Sequence, residues 1–413
     1  MAVVSIFSGS FCRGEAVAET LGTTTGYTLL SDNDIVYRAS ERSSIPAERL
    51  FRCLSGKTTV FNPFTREFER SLSWLKLAMA EYLQNTRFIL HGNTSHLIPP
   101  SMPHAFQVCF IADLPYRVRD CSRCCNIDPK TAAEKISGDD ARKAAWLKLL
   151  KGVENPWEPS LYDMVLPVDT LDTEKIIEVV QKGINVNAAA PLKTGREAAS
   201  VFMKEARIEA ALAEKGHVAQ VKSKGNQIIL TIDRPVMMPE QLEEELKTIV
   251  AGVSPMCDAA VIVLPEAGQD RAYRKYSHNI PSRVLLVDDE REFVQTLSER
   301  LEMRDIGSAV AYDGESALEM VAEEEPDVML LDLQMPGING IDVLKTVKET
   351  RPEIEVIVLT GHGTAKDRDL CMKMGAFAYL EKPVDIDILS KTLVRANEKM
   401  HRNKQDALVK VAR

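Results

Sequence analysis

Short apolar runs alternate with amphipathic stretches along the first 185 residues. Four of the runs are rich in β-branched or aromatic residues and predict buried strands at 2–7, 88–90, 107–111 and 164–166. Between them, apolar residues recur at helical spacing in 15–21, 71–84, 114–125, 141–151 and 173–182. Strands that alternate with helices predict a parallel α/β sheet, which we assign to a first domain at residues 1–185.

A different order of elements follows at residues 195–266. A helix is predicted at 197–215, then two strands at 217–222 and 227–232, and the intervening Ser223–Asn226 is typical of a hairpin. A helix at 239–250 and a strand at 259–264 complete an αββαβ unit. This order resembles the small BON-type module of bacterial proteins, and a small α+β spacer or dimerisation domain is the alternative. Small polar segments at 185–194 and 268–281 predict linkers on either side.

Polar side chains follow each apolar run of the last domain, which we place at 282–402. The runs predict strands at 283–287, 328–331, 356–359 and 378–380, and they lead into Asp288, Asp289, Asp332, Thr360 and Lys382. In a doubly wound sheet, ligands bind beyond the carboxyl ends of the strands, so we expect these side chains to converge. Carboxylates that lie close together repel one another, and a hard divalent cation relieves that repulsion.

Composition narrows the classes of protein to consider. The chain has 413 residues and a net charge of −9, and the stretch from Arg283 to Met400 alone carries −11. A broadly basic, nucleic-acid-binding surface is therefore not expected. No apolar run approaches the roughly 18 residues of a membrane span, and the start of the chain lacks the basic segment of a signal peptide. These features predict a cytoplasmic protein that binds neither membrane nor nucleic acid directly.

The last domain carries four motifs whose order and spacing resemble those of the response-regulator receiver domain of two-component signalling. They read VLLVDDE, LLDLQMPGINGIDVL, VIVLTGHG and GAFAYLEKP. The resemblance implies a flavodoxin-like fold with Asp332 as phosphoacceptor, and Mg²⁺ held by Asp288, Asp289, Asp332 and the backbone carbonyl of Gln334. It implies further that Thr360 and Tyr379 form the switch and that Lys382, before a cis bond to Pro383, pairs with the phosphoryl group.

The first domain contains a glycine-bearing loop with the spacing of a phosphate loop. Gly9 and Gly14 are separated by four residues and lie between a predicted strand and a predicted helix, the context that this motif requires. A full motif continues with Lys and then Ser or Thr, whereas this chain continues with Glu15 and Ala16. Arg13 is an alternative cation, and a plain glycine turn is the alternative structure. The missing groups predict weak ATP binding and slow or absent phosphoryl transfer.

Further residues of the first domain resemble the cytidylate kinases, a family with a P-loop kinase-like parallel sheet. The stretch LSDNDIVYRA at 30–39 resembles their acceptor-binding segment, which implies that Asp32 contacts the base and Arg38 the acceptor phosphate. Asn93 occupies the place of a phosphate-binding arginine in that family's EGRD motif. Arginines at 117, 119 and 123 lie on a helix placed like the family's lid, and Arg142 follows in a DDAR stretch. ATP and CMP are the ligands that this resemblance implies.

Two main hypotheses follow for the whole chain. In the first, a sensor histidine kinase or phosphotransfer protein phosphorylates Asp332, and the receiver domain regulates a cytidylate-kinase-like output domain. In the second, the first domain is an active nucleoside monophosphate kinase gated by that phosphorylation. A phosphate relay whose front domains serve only for assembly is a third alternative. Enzymatic activity of the first domain and the oligomeric state, a homodimer included, are left open by the sequence.

Overall fold

The computed structural model describes residues 3–411, except 85–86, 101, 189–191, 237, 265–272, 274, 277–280, 282 and 362. These residues form two compact units, one of Met1–Thr58 with Phe68–Tyr273 and the other of Thr59–Glu67 with Arg274–Arg413. No helix within the described part of the chain is long and apolar enough to cross a membrane.

The described residues contain thirteen strands and fifteen α-helices. The strands are β1 (Val3–Ser8), β2 (Thr28–Ser31), β3 (Phe88–His91), β4 (Ala105–Ile111), β5 (Met164–Pro167), β6 (Gln220–Lys224), β7 (Gln227–Ile232), β8 (Asp258–Val263), β9 (Val284–Val287), β10 (Ser308–Ala311), β11 (Val328–Leu331), β12 (Glu355–Thr360) and β13 (Ala378–Glu381). The helices are α1 (Gly14–Thr25), α2 (Asp32–Arg42), α3 (Ala47–Leu54), α4 (Asn62–Thr65), α5 (Glu67–Gln84), α6 (Leu114–Cys125), α7 (Pro129–Lys151), α8 (Thr173–Ala188), α9 (Leu192–Glu214), α10 (Pro239–Val253), α11 (Arg291–Glu302), α12 (Gly314–Glu323), α13 (Gly340–Thr350), α14 (Ala365–Lys373) and α15 (Ile386–Val411). Two short 3₁₀ helices lie at Asn93–Leu97 and Pro159–Leu161.

The first unit contains a five-stranded sheet in the order β2-β3-β1-β4-β5, and every described pairing in it is parallel. The central strand β1 is buried along its whole length, which explains its continuous apolar run. The predicted parallel α/β sheet is therefore confirmed. The edge strand β2 escaped prediction because it is four residues long and its first two residues are exposed.

The same unit contains a second, three-stranded sheet in the order β6-β7-β8. Strand β6 runs antiparallel to β7, and Lys224 pairs with Gln227, so the predicted four-residue connection shortens to the turn Gly225–Asn226. Strand β8 runs parallel to β7. The sheet has its own apolar core with helices α9 and α10, which includes Leu212, Leu230 and Leu246.

Helix α9 contributes to one apolar core of the five-stranded sheet and to the core of the three-stranded sheet. Phe202 and Met203 lie in the apolar core beneath the five-stranded sheet, whereas Leu212 lies in the core of the three-stranded one. The helix begins at Leu192, inside the predicted linker 185–194, and α8 extends to Ala188. The middle of that predicted linker and most of the linker predicted at 268–281 lie outside the described residues.

The second unit contains a five-stranded parallel sheet in the order β10-β9-β11-β12-β13. The order reverses between β9 and β11, which places the switch point of a doubly wound sheet at the carboxyl ends of these two strands. Strand β10 was not predicted from the sequence, because its four residues SAVA are small and two of them are only partly buried. The flavodoxin-like architecture predicted for this part of the chain is confirmed.

The second unit also takes in Thr59–Glu67, a segment far away in the sequence. Phe61 is completely buried in the apolar core that contains Leu285, Met329 and Val356. Glu67 forms a buried ion pair with Arg283, and Arg283 lies 3.6 Å from Glu324. Sequence patterns placed residues 59–67 in the first domain, since nothing local in FNPFT indicates where its aromatic side chains pack.

Candidate phosphorylation and nucleotide sites

Three carboxylates meet at the switch point of the second sheet. Asp288 and Asp289 follow the last residue of β9 directly, and Asp332 follows the last residue of β11. Each residue offers a carboxylate oxygen, and these oxygens all lie within 4.8 Å of one another. Asp288 and Asp332 are buried, so their charges are shielded from water. An oxygen-rich, negatively charged cluster of this kind matches the donors that a hard divalent cation prefers.

Lys382 brings the balancing positive charge into the cluster. Its Nζ atom lies 2.7 Å from Asp288 Oδ2, 3.2 Å from Asp332 Oδ2 and 2.9 Å from Glu290 Oε1. Burial lowers the pKa of this lysine, but its hydrogen bonds to Asp288 and Glu290 outweigh burial and raise the pKa overall. Burial also raises the pKa of the Asp288 carboxyl, against the effect of Lys382. The Lys382–Pro383 peptide bond is cis, as the resemblance implied.

The two oxygens of Asp332 have different surroundings. Oδ1 accepts the backbone N–H of Leu333 at 2.7 Å and lies 3.4 Å from the backbone nitrogen of Gln334. Oδ2 faces the Lys382 ammonium. One oxygen is therefore fixed by the backbone of its own loop, and the other lies beside the ammonium group of Lys382.

Thr360 and Tyr379 lie on the neighbouring strands β12 and β13. The Thr360 side chain is buried, and neither its Oγ1 atom nor the Tyr379 hydroxyl has a hydrogen-bond partner among the described residues. A Cβ atom at Gly363 would lie 1.6 Å from the Tyr379 hydroxyl, so only glycine there admits the ring in this position. A buried hydroxyl without a partner costs about 1–3 kcal/mol, which a bound oxygen acceptor would recover.

A second site opens in the first unit at the glycine-bearing loop between β1 and α1. A cavity of about 760 Å³ is lined there by Gly9, Arg13, Gly14 and Asp32, together with residues that include His91, Asn93, Arg123 and Lys143. Four of the five residues predicted from the sequence for the nucleotide site thus lie at this cavity. The fifth, Arg38, is not among the lining residues, and its guanidinium pairs with Glu81 at 3.3 Å and Glu41 at 3.5 Å.

Asp32 holds the neighbouring loop in place. Its carboxylate accepts the backbone N–H groups of Asn93 at 2.9 Å and Thr94 at 2.8 Å, and the Thr94 hydroxyl at 2.7 Å. A Cβ atom at Gly92 would lie 2.4 Å from the same carboxylate. Asp32 thus organises the turn at the end of β3, where the family motif has its arginine.

One cation beside the loop was missed by sequence reasoning. Lys143, on helix α7, donates to the Ser8 carbonyl oxygen at 2.6 Å and lies 3.4 Å from Ser10 Oγ. Arg13, the cation considered from the sequence, instead lies over the ring of Tyr116 with its Cζ atom 5.3 Å from the centroid. The only signal available was the position of Lys143 immediately after Arg142 in the DDAR stretch.

Comparison with known proteins gives matches for the two parts of the chain that contain these sites. The response regulator receiver domain model matches residues 284–394, and the cytidylate kinase-like family model matches residues 3–170. Transcriptional regulatory protein CpxR of Escherichia coli (strain K12) is 45% identical over 102 residues, which are 25% of this chain and 43% of that protein. Response regulator MprA of Mycobacterium leprae is 34% identical over 124 residues, or 30% of this chain and 53% of that protein.

Solved structures give the same match for the last part of the chain. The response regulator receiver domain protein from Clostridium thermocellum is 35% identical and covers 30% of this chain and 96% of that one, with a TM-score of 0.28. The chain spans about half the length of the curated relatives it matches. The matched motifs and the sheet order lead to one conclusion: the last part of this chain is a response regulator receiver domain, and residues 3–170 are similar to the cytidylate kinase-like family.

Proposed function

We propose that this protein is a two-component response regulator whose Asp332 accepts a phosphoryl group from a sensor histidine kinase or a phosphotransfer protein. The observation that carries the proposal is the meeting of three carboxylates and Lys382 at the switch point of the receiver sheet. The cytidylate kinase-like domain is the output that the receiver regulates. A cytoplasmic location and the absence of direct nucleic-acid binding stay predictions, and a homodimer stays open.

The proposed reaction transfers a phosphoryl group from an imidazole nitrogen of the donor to a carboxylate oxygen of Asp332. Asp332 Oδ2 attacks phosphorus, the bond from phosphorus to the donor's imidazole nitrogen breaks, and the electron pair leaves with the imidazole. Mg²⁺ held by Asp288, Asp289, Asp332 and the Gln334 carbonyl would neutralise charge on the phosphoryl oxygens. Lys382 adds a second positive charge, since its ammonium already lies beside Asp332.

The switch residues suit the product of this transfer. The unpartnered Thr360 hydroxyl is a donor that a phosphoryl oxygen on Asp332 would satisfy. Thr360 and Tyr379 border the same space at Gly363, where an added Cβ atom would lie 1.6 Å from the tyrosine hydroxyl and 2.9 Å from Thr360 Cγ2. Movement of Thr360 toward the phosphoryl oxygen would therefore open space beside the Tyr379 ring. Thr360 and Tyr379 therefore form the switch in this proposal.

Phosphorylation of the full-length chain tests the proposal. The protein is incubated with acetyl phosphate and Mg²⁺, and its intact mass is measured. Wild type should gain one phosphoryl group and Asp332→Asn none, because an amide is a far poorer nucleophile than a carboxylate. Asp342→Asn, at an exposed position of α13, is the matched control and should gain one. Equal uptake by Asp332→Asn and wild type would assign the acceptor to another residue.

The alternative for the first domain is an active nucleoside monophosphate kinase gated by the receiver. Glu15 and Ala16 stand where a phosphate loop has its lysine and its metal-binding hydroxyl, so we expect transfer from ATP to CMP to be very slow or undetectable. A coupled kinase assay on the full-length chain decides between the two. Turnover in the usual range of about 1–10³ s⁻¹ would establish the kinase alternative.

A further inference from the structure

The cavity at the glycine-bearing loop contains an unpaired positive charge. Lys143 forms no ion pair with any described residue. Its ammonium contacts the neutral oxygens of Ser8 and Ser10 and lies 5.6 Å from the centroid of the Phe7 ring. Burial lowers the pKa of this lysine more than the nearby Asp140 and Asp139 raise it. A partly buried ammonium without an ion-pair partner is costly, so an anion that enters the cavity would be stabilised there.

The carboxylates nearest to Lys143 are already engaged. Asp140 accepts two hydrogen bonds from the Arg117 guanidinium, at 2.8 and 2.7 Å, and Asp139 pairs with Arg142. Of the three acids that line the cavity, Asp120 pairs with Arg123 at 2.7 Å and Asp32 accepts backbone N–H groups. The third, Glu15, forms no described ion pair with Lys143. The charge of Lys143 is therefore available to a ligand.

The position of Lys143 is held from two sides. Arg117 donates from Nε to the Ser10 carbonyl at 2.9 Å while it binds Asp140, three residues before Lys143 on α7, so it links the loop to that helix. Three residues further along α7, Trp146 is completely buried and donates from Nε1 to the Asn93 carbonyl at 3.0 Å. The ammonium is thus presented to the loop by a helix that is anchored before and after it.

We propose that Lys143 supplies, from helix α7, the phosphate-binding cation that the loop Gly9–Gly14 lacks, and that the cavity takes the phosphate groups of a nucleoside di- or triphosphate. The lysine would exchange its contact with the Ser8 carbonyl for a phosphate oxygen. The cavity volume of about 760 Å³ suits such a ligand. This inference deepens the output half of the proposed function and does not depend on phosphorylation of Asp332.

Calorimetry on the full-length chain tests the proposal, with ATP, pyrophosphate and adenosine as the three probes. Wild type should bind ATP, and Lys143→Ala should weaken that binding at least tenfold, whereas Lys143→Arg should restore most of it. Lys148→Ala is the matched control, because Lys148 lies on the same helix but is exposed and pairs with Glu154. It should bind ATP as wild type does.

The three probes separate a role in phosphate binding from a role in folding. Loss in Lys143→Ala should be seen with ATP and pyrophosphate, whereas any binding of adenosine should be unchanged. Binding of pyrophosphate as tightly as ATP would show that the site recognises phosphate alone, in contradiction to the nucleotide part of the proposal. Equal affinity of Lys143→Ala and wild type for ATP, or no binding of ATP by wild type at millimolar concentration, would overturn it.

Two controls keep this result distinct from that of the receiver. The Trp fluorescence of Lys143→Ala should match that of wild type, since Trp146 follows on the same helix and reports whether α7 keeps its place. All titrations are repeated with Asp332→Asn, which cannot be phosphorylated under the proposed function. Nucleotide binding by that variant would support the cavity proposal even if the receiver proposal failed. Absence of nucleotide binding would contradict the cavity proposal and would not affect the receiver proposal.

Discussion

Asp289 is the carboxylate of the receiver cluster that has no described contact with Lys382. Its negative charge is therefore not balanced by the lysine and is available to bind a metal cation. Asp289→Ala should therefore weaken Mg²⁺ binding more than it disturbs the nucleophile. We expect the Mg²⁺ concentration for half-maximal phosphate uptake from acetyl phosphate to rise at least tenfold. A series of intact-mass measurements at increasing Mg²⁺ provides the test, with Asp342→Asn as control. An unchanged Mg²⁺ dependence would remove Asp289 from the metal site.

His96, in the first unit, gives a prediction on pH. Burial and the neighbouring Lys151 lower its pKa from 6.5 to about 3, and its ring packs edge-on against Phe7 with centroids 4.5 Å apart. Because the folded state keeps the imidazole neutral, the unfolded state binds more protons below pH 6.5. His96 thus contributes stability that is present above pH 6.5 and is lost as pH falls toward 3.

The expected size of this effect at pH 5 is about 2 kcal/mol, from about 1.4 kcal/mol per pH unit. His96→Gln, which cannot gain a proton, should lose about that much less stability than wild type between pH 7 and pH 5. Urea unfolding followed by Trp fluorescence measures it, since all three tryptophans lie in the first unit. Parallel losses in the two proteins would show that His96 is not the titrating group.

At the scale of elements, the segment Thr59–Glu67 belongs to the second unit although it lies far from the receiver motifs in the sequence. Phe61 is completely buried among apolar residues of β9, β11 and β12, so Phe61→Ala removes a large side chain from a closed core. We expect the variant to destabilise the receiver unit by about 3–5 kcal/mol. Val60→Ala, at a neighbouring position that is 45% exposed, is the matched control and should cost little.

Hydrogen exchange of peptides from β9 and β11 is the suitable measurement for Phe61→Ala, because the receiver unit contains no tryptophan. Exchange should accelerate throughout the receiver in this variant and stay unchanged with Val60→Ala. Exchange as slow as in wild type would mean that the receiver core does not depend on Phe61.

At the scale of the molecule, the ligands proposed for the two units differ, so each unit should be stabilised by its own ligand. Mg²⁺ should protect the second unit by mass action, by about 2.7 kcal/mol at one hundred times the dissociation constant, and leave the first unit unchanged. Hydrogen exchange in the receiver and Trp fluorescence in the first unit, compared with and without Mg²⁺, measure the two effects separately. Protection that persists in Asp289→Ala would contradict the carboxylate site.

The sequence alone was enough for the central strands of the two five-stranded sheets and for the receiver cluster. Strands such as β1 and β9 are buried along their whole length, so they appear as continuous apolar runs. The residues of the cluster directly follow such strands, and parallel strands bring their carboxyl ends to one edge. Edge strands β2 and β10 were missed because partial exposure removes the apolar run on which the prediction depends.

Only the tertiary structure placed Lys143 at the loop and Phe61 in the receiver core. Lys143 and Ser8 are 135 positions apart, and Phe61 packs against residues more than 200 positions away. Local periodicity records whether a side chain is buried, but it carries no information on which distant element buries it. The absence of a lysine after Gly14 could be read from the sequence, whereas the position of a cation from another helix depends on how α7 packs, which no local motif encodes.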